Sequence, residues 1–156
     1  METTLYYLSS NDSFRKVKAY LNENGVSFTT HPMITNPLTK EQLFEILKYT
    51  ENGVEDILST RSKDYLNLIE QGIDFEEVSL TELHELVEKH PKLLRSPITM
   101  GKGIAMIGYV EDEITTLMDR KVRKESYLRV LNIVRAEENR NIAKLKITKH
   151  DRVIAV

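Results

Sequence analysis

Two arginines stand where chain elements begin or end, the places from which a side chain can be aimed. Arg61 falls in Ser59-Thr60-Arg61-Ser62-Lys63 and Arg95 in Leu93-Leu94-Arg95-Ser96-Pro97-Ile98. A guanidinium fork suits an oxyanion, and so do the free backbone N–H groups at a helix start. The turn Ser9-Ser10-Asn11-Asp12 supplies such a start, so Asn11, Arg61 and Arg95 could converge on one small anion. The plainer reading of the same two arginines, and the one the sequence alone favours, is a pair of surface side chains in unrelated salt bridges. Nucleophilic chemistry is narrower. The chain has no cysteine, which excludes disulfides, thiolate metal sites and thiol catalysis by this chain alone. His31, His84, His90 and His150 are scattered and none pairs at i, i+4 with another ligand, so neither a metal nor a cofactor is expected. Asp12, Glu111, Asp112 and Glu113 make no acid–base pair, and no Ser-His-Asp set or phosphate-cradling glycine loop stands out.

The elements that would position these residues follow from periodicity. Thr4 to Leu8 is β-branched and aromatic, as a buried strand requires. Phe14, Val17, Tyr20 and Leu21 then recur on one helical face behind the Asn11 turn. Val26 to His31 reads as a second strand closed by Pro32. Thr39 and Gln42 form a capping box for a helix whose inward face is Leu43, Ile46, Leu47 and Thr50. Asn52-Gly53 reads as that helix's stop; Gly53 also reads as an exposed backbone site where a partner approaches closely. Val54 to Leu58 is a helical turn. Ser62 starts a helix with Tyr65, Leu66 and Ile69 inward, and Ser79 with Glu82 caps another carrying Leu80, Leu83, Leu86 and Val87. Pro97 to Met100 and Ile104 to Gly108 flank Gly101-Lys102-Gly103 as a β-hairpin. Glu111 to Met118 reads as a helix, and Lys124 to about Lys144 as a longer one with Tyr127, Val130, Leu131 and Val134 on its face. Lys146 to Val156 is weakly patterned.

A β-α-β start forces its two strands parallel, and the hairpin adds two antiparallel ones. The expected fold is α/β: a thioredoxin-like mixed four-stranded sheet with a helical insertion after the second strand. The expected organisation is one domain, with residues 1–32 and 92–135 as its core, 33–91 as the insertion and 136–156 as helix end and tail. Both charge signs are interleaved at a net −2, so the overall field does not argue for bulk nucleic-acid or membrane binding. Arg120, Lys121, Arg123 and Lys124 form a short basic run, read first as a solvated helix start and second as a phosphate contact in a larger assembly. No apolar run is long enough for a membrane span and no signal peptide is visible, so a cytoplasmic location is expected.

The stretches TLYYLSSNDSFRKVKAYL, NPLTKEQLFEIL, ENGVEDILSTRSK, LLRSPI, GYVEDEI and RKVR run in that order through Thr4 to Leu131. Together they resemble the Spx proteins, the transcriptional-regulator branch of the arsenate-reductase-like family. The resemblance implies a thioredoxin-like fold and a cis peptide before Pro97; the lack of any cysteine makes enzymatic activity unexpected. It implies binding to the C-terminal domain of the RNA polymerase α subunit, with Gly53 at the interaction glycine and Asn11 and Phe14 on the same partner-binding face. It leaves room for promoter DNA within that complex. It also leaves room for an unfoldase–protease that reads the apolar end Val153-Ile154-Ala155-Val156.

The departures from the family are specific. The Cys-x-x-Cys redox switch of many members falls on Asn11 and Phe14, so both thiols are gone. Enzymatic relatives use a cysteine with three arginines; two fall on Arg61 and Arg95, and the third near Ile104, which cannot hold an oxyanion. The expected function is a redox-insensitive Spx-like regulator. The alternatives are a catalytically dead interaction protein competing with a cysteine-containing paralogue and, last, an arsenate-reductase-type enzyme.

Overall fold

The computed structural model describes residues 2–118 and 120–154; for 120–127 and 146–154 only the backbone is described. It divides into two compact units, residues 1–118 and 119–156. The first is built on a sheet of strands β1 (Thr3–Tyr7), β2 (Phe28–Pro32), β3 (Ile98–Gly101) and β4 (Ile104–Ile107). Their order is β2-β1-β3-β4, with β1 parallel to β2 and antiparallel to β3, and β3 antiparallel to β4. Helix α1 (Asp12–Glu23) makes the crossover between the parallel pair.

Four helices, α2 (Lys40–Lys48), α3 (Val54–Ile57), α4 (Lys63–Glu70) and α5 (Leu80–Lys89), form the insertion between β2 and β3. They share one apolar core with one face of the sheet, where Leu43, Ile46, Leu83 and Val87 meet Tyr6, Ile98 and Met100. The other face of the sheet packs Leu5 and Met106 against Phe14, Val17 and Leu21 of α1 and against Ile114 and Leu117. This is the thioredoxin-like arrangement that the alternation of elements predicts, with α1, Ile114 and Leu117 covering one side of the sheet.

Local chemistry sets the element ends. Thr39 accepts a hydrogen bond from the Gln42 backbone while the Gln42 side chain returns to the Thr39 N–H, a complete capping box. Ser62 and Ser79 cap α4 and α5 in the same sense. Three details differ from the sequence expectation. Helix α2 stops at Tyr49, not at Asn52-Gly53: the Tyr49 and Thr50 N–H groups bond three residues back, to the Ile46 and Leu47 carbonyls, and the Thr50 hydroxyl also donates to Leu47. On α4 the buried residue is Leu68, while Leu66 and Ile69 are exposed; so short a helix meets the core along a line rather than a broad face. Residues 111–118 form only one helical turn, α6 (Glu111–Ile114), followed by a 3-10 turn.

The hairpin turn places Lys102 and Gly103 at positive φ, the twist that a two-residue connection needs. Just before it, a Cβ on Gly101 would lie 2.6 Å from the Thr3 hydroxyl, so only glycine lets β3 approach that end of β1.

Within the sheet core, Thr99 is fully buried and its hydroxyl has no hydrogen-bond partner among the described residues. An unpaired buried hydroxyl costs about 1–3 kcal/mol. Thr99→Val keeps the shape and removes that cost, so chemical denaturation should show the variant more stable by about 1 kcal/mol; a loss of stability would mean that the hydroxyl has a partner.

The second unit contains one helix, α7 (Arg120–Ile154). It begins four residues earlier and ends ten later than the sequence pattern suggests. Nothing in 120–154 is a helix breaker, since it contains neither glycine nor proline. Among the described residues, no helix is long and apolar enough to cross a membrane.

Candidate functional site

The loop from β1 to α1 is organised by one side chain. Asn11 has extended backbone angles and caps α1; its Oδ1 accepts the Phe14 N–H at 2.8 Å. Its Nδ2 donates to the Ser96 carbonyl at 3.1 Å, and the Leu8 N–H donates to the Ser96 hydroxyl at 2.9 Å. Ser96 therefore grips the loop at two points, immediately before a cis Ser96–Pro97 peptide. Phe14, one helical turn in, is buried, with its ring 4.5 Å from that of Tyr7. The frame around positions 11 and 14 is thus closed by a cap, a bridging serine and a buried ring.

The segment that holds the loop also holds the Gly53 region. The Arg95 N–H donates to the Ile57 carbonyl at 2.8 Å, its side-chain Nε to the Leu58 carbonyl at 3.0 Å, and the Ser59 N–H to the Leu93 carbonyl at 2.7 Å. A β-bridge pairs Leu58 with Leu94. Asp56 then closes the turn around the glycine. One carboxylate oxygen accepts the Glu51 and Asn52 N–H groups at 3.0 Å each, and the other accepts from the Asn52 side chain. These bonds, led by the Asn52 N–H and helped by the Arg95 charge, hold the Asp56 carboxyl below its ordinary pKa.

A depressed carboxylate stabilises the fold above its unfolded pKa and loses that contribution as pH falls through the folded value. The Asp56 turn should therefore loosen in acid, below about pH 4. Asp56→Asn should flatten this part of the stability profile. An identical acid limb in the variant would mean that Asp56 does not close the turn.

Gly53 has φ +69° and ψ −131°, and a Cβ there would meet nothing within 4 Å. Its backbone faces open space in a conformation that L side chains reach only under strain. It is the residue before α3, not the C-cap of α2. Beside it lie two cavities of about 860 and 390 Å³ that share Asn52, Asp56 and Arg95. The larger adds Glu55, Asp74 and Glu76 over a floor that includes the stacked rings of Tyr65 and Phe75. The groove is acidic at its rim and aromatic beneath.

The structure joins Asn11 to Arg95 and Gly53 through Ser96, Leu58 and Asp56. Arg61 is exposed in the turn before α4 and lines neither cavity. Ile104, at the position of a third family arginine, is half-buried at the start of β4 against the α1 side of the core. Ala155 and Val156, the end read as a protease signal, lie outside the described residues. Among the described residues no cluster of histidine and carboxylate side chains could hold a metal. Sequence reasoning did not single out Ser96 or Asp56. A serine before a strand-opening proline and an aspartate three residues past an Asn-Gly pair were the available signals.

Residues 6–117 match the ArsC family model. The chain belongs to the ArsC family and, within it, to the Spx branch. It is 46% identical over 122 residues to the global transcriptional regulator Spx of Streptococcus agalactiae, covering 78% of this chain and 87% of the relative. The regulator of the same name from Streptococcus mutans matches at the same identity and coverage, and that of Streptococcus pyogenes at 45%. Among solved structures, arsenate reductase from Vibrio cholerae superposes with a TM-score of 0.64 at 20% identity, covering 76% of this chain and 98% of its own. An ArsC-family-related protein from Bacteroides fragilis superposes at 0.63, also at 20% identity. These two likenesses concern the fold.

Proposed function

We propose that this chain is a transcriptional regulator of the Spx type that docks on the C-terminal domain of the RNA polymerase α subunit without a thiol switch. The observation that carries the reading is the 46% identity over 122 residues to global transcriptional regulators. The local geometry supports the second half. The loop that carries the cysteine pair in related proteins is here held by Asn11, Ser96 and a buried Phe14, so no oxidation step is needed to order it. Gly53, open and backbone-only, supplies a surface that a partner can approach closely. In this reading the protein acts in the cytoplasm and performs no catalysis. Its amount, set in part by an unfoldase–protease acting on the C-terminal end, is the controlling variable.

The test is a pull-down of purified α subunit by the tagged full chain, run with diamide and with dithiothreitol acting on this protein. Equal retention in both is expected. No retention in either would remove the polymerase reading, and retention only after oxidation would remove the switch-free one. Turnover of arsenate with a thiol donor would overturn the absence of catalysis.

An oxyanion held by Asn11, Arg61 and Arg95 is a separable part of the reading. Both polar atoms of Asn11 and the Nε of Arg95 already have partners, so sulfate binding should be weak. Calorimetric titration should show it diminished in an Arg61→Gln, Arg95→Gln double variant. Equal heats from both proteins would dismiss the site.

A further inference from the structure

The near-neutral charge of the whole chain hides a partition that follows the division into two units. Helix α7 carries eleven of the 22 lysines and arginines but four of the 24 acidic residues. The remainder therefore sets eleven basic side chains against twenty acidic ones, which corrects the impression that the two signs are interleaved throughout. The positive charge is spread along α7: Arg120, Lys121, Arg123 and Lys124 at its start, Arg129, Arg135 and Arg140 in the middle, Lys144, Lys146, Lys149 and Arg152 towards its end. From 128 to 145 every side chain but that of Leu131 is exposed, Arg129, Arg135 and Arg140 among them. The helix has 35 residues, so it is about 50 Å long at 1.5 Å per residue. Duplex DNA presents one phosphate charge per about 1.7 Å of its axis.

We propose that α7 is a DNA-binding arm that holds the phosphate backbone of duplex DNA by charge, without reading its sequence. The choice of DNA rests on the regulator reading given above; the positive surface itself does not. A lipid surface is disfavoured by composition. Interfacial helices gather tryptophan, phenylalanine and leucine on one face opposite the charged one; α7 has no tryptophan or phenylalanine, and its leucines, isoleucines and valines are not gathered on one face. The first unit is net negative and would be repelled by a polyanion, so affinity must come from α7. The ArsC family match ends at residue 117, before α7 begins, so the charged helix lies outside the part of the chain that the family model describes. It would tether the regulator to DNA while the Gly53 face engages protein.

The measurement is fluorescence anisotropy of a labelled 20-base-pair duplex of arbitrary sequence, titrated with the purified full chain in the absence of polymerase. An arm that contacts about six phosphates should lose roughly a thousandfold in affinity between 50 and 200 mM salt. The triple variant Arg129→Gln, Arg135→Gln, Arg140→Gln should lower the log–log salt slope by about 2.7. Arginine and glutamine have similar helix propensities, so the helical circular dichroism should be unchanged. The corresponding triple lysine variant should retain the slope. Lys89→Gln with Lys92→Gln, on the first unit, should leave binding as it is. An unchanged slope in the glutamine variant, no binding at 50 mM salt, or tighter binding to vesicles of anionic phospholipid at the same salt would each overturn the proposal. Because polymerase is absent, failure of the α-subunit pull-down leaves this outcome untouched, and the reverse also holds.

Discussion

Phe14→Ala is expected to destabilise the first unit by about 3–5 kcal/mol, the usual cost of removing a buried phenylalanine ring. Phe14 is packed between Tyr7 and the Val17–Leu21 side of α1, in a cluster completed by Leu5, Met106 and Ile114. A domain of ordinary stability holds only about 5–15 kcal/mol in total, so the loss should appear as a drop in melting temperature of about 10 °C. Far-ultraviolet circular dichroism during urea unfolding would measure it; the chain has no tryptophan to follow. Phe14→Leu, which keeps most of the apolar volume, should cost less than about 1.5 kcal/mol.

The pair of variants also tests whether the ring holds the binding loop. At a temperature where both variants are folded, Phe14→Leu should bind α subunit like the wild type and Phe14→Ala more weakly. The Phe14 and Leu8 amide protons should exchange faster in the alanine variant, because the bonds to Asn11 and Ser96 lose the packing beneath them. Wild-type affinity in Phe14→Ala would sink the idea that the ring orders the loop, while leaving its role in the core intact.

Gly53→Arg should abolish α-subunit binding, and it should not be thermally silent. The structure shows ample space for a Cβ but a backbone at φ +69°, ψ −131°, where a side chain costs of order 1–3 kcal/mol. Gly53→Ala carries the same backbone strain without the bulk. Both variants should therefore melt lower by a similar amount, about 2–12 °C, and differ in binding. The arginine variant should fall below detection, while the alanine variant should lose no more than about tenfold. Equal binding losses would mean that turn geometry, not steric closure, is what the partner reads. Wild-type binding in Gly53→Arg would place the interface elsewhere.

The strands, the crossover and the hairpin were legible because their signals are local. Alternating β-branched and aromatic residues, the Thr39–Gln42 capping box and the Lys102-Gly103 turn each act over fewer than ten residues, and short-range sterics and hydrogen bonding suffice to set them. The empty redox position was equally legible, since the absence of cysteine is a property of composition. What the sequence could not convey was which distant residues meet. Ser96 clamps a loop 85 residues away, and its local signal, a serine before a strand-opening proline, names no partner. The contact exists only because β3 docks beside β1 and brings residue 96 to the start of α1. Arg95 turns to the Leu58 carbonyl for the same reason, which draws it towards Asp56 and the Gly53 turn. The conformation of Gly53 is likewise tertiary. Asp56 captures two amides upstream of it, and the chain must bend through positive φ to let it do so. The charge of α7 was present in the sequence throughout, but only the division of the chain at residue 118 separates it from the acidity of the first unit. Charges averaged over a whole chain cancel on paper, whereas a polyanion in water meets one surface at a time, because screening confines each charge to its own surroundings within about 10 Å.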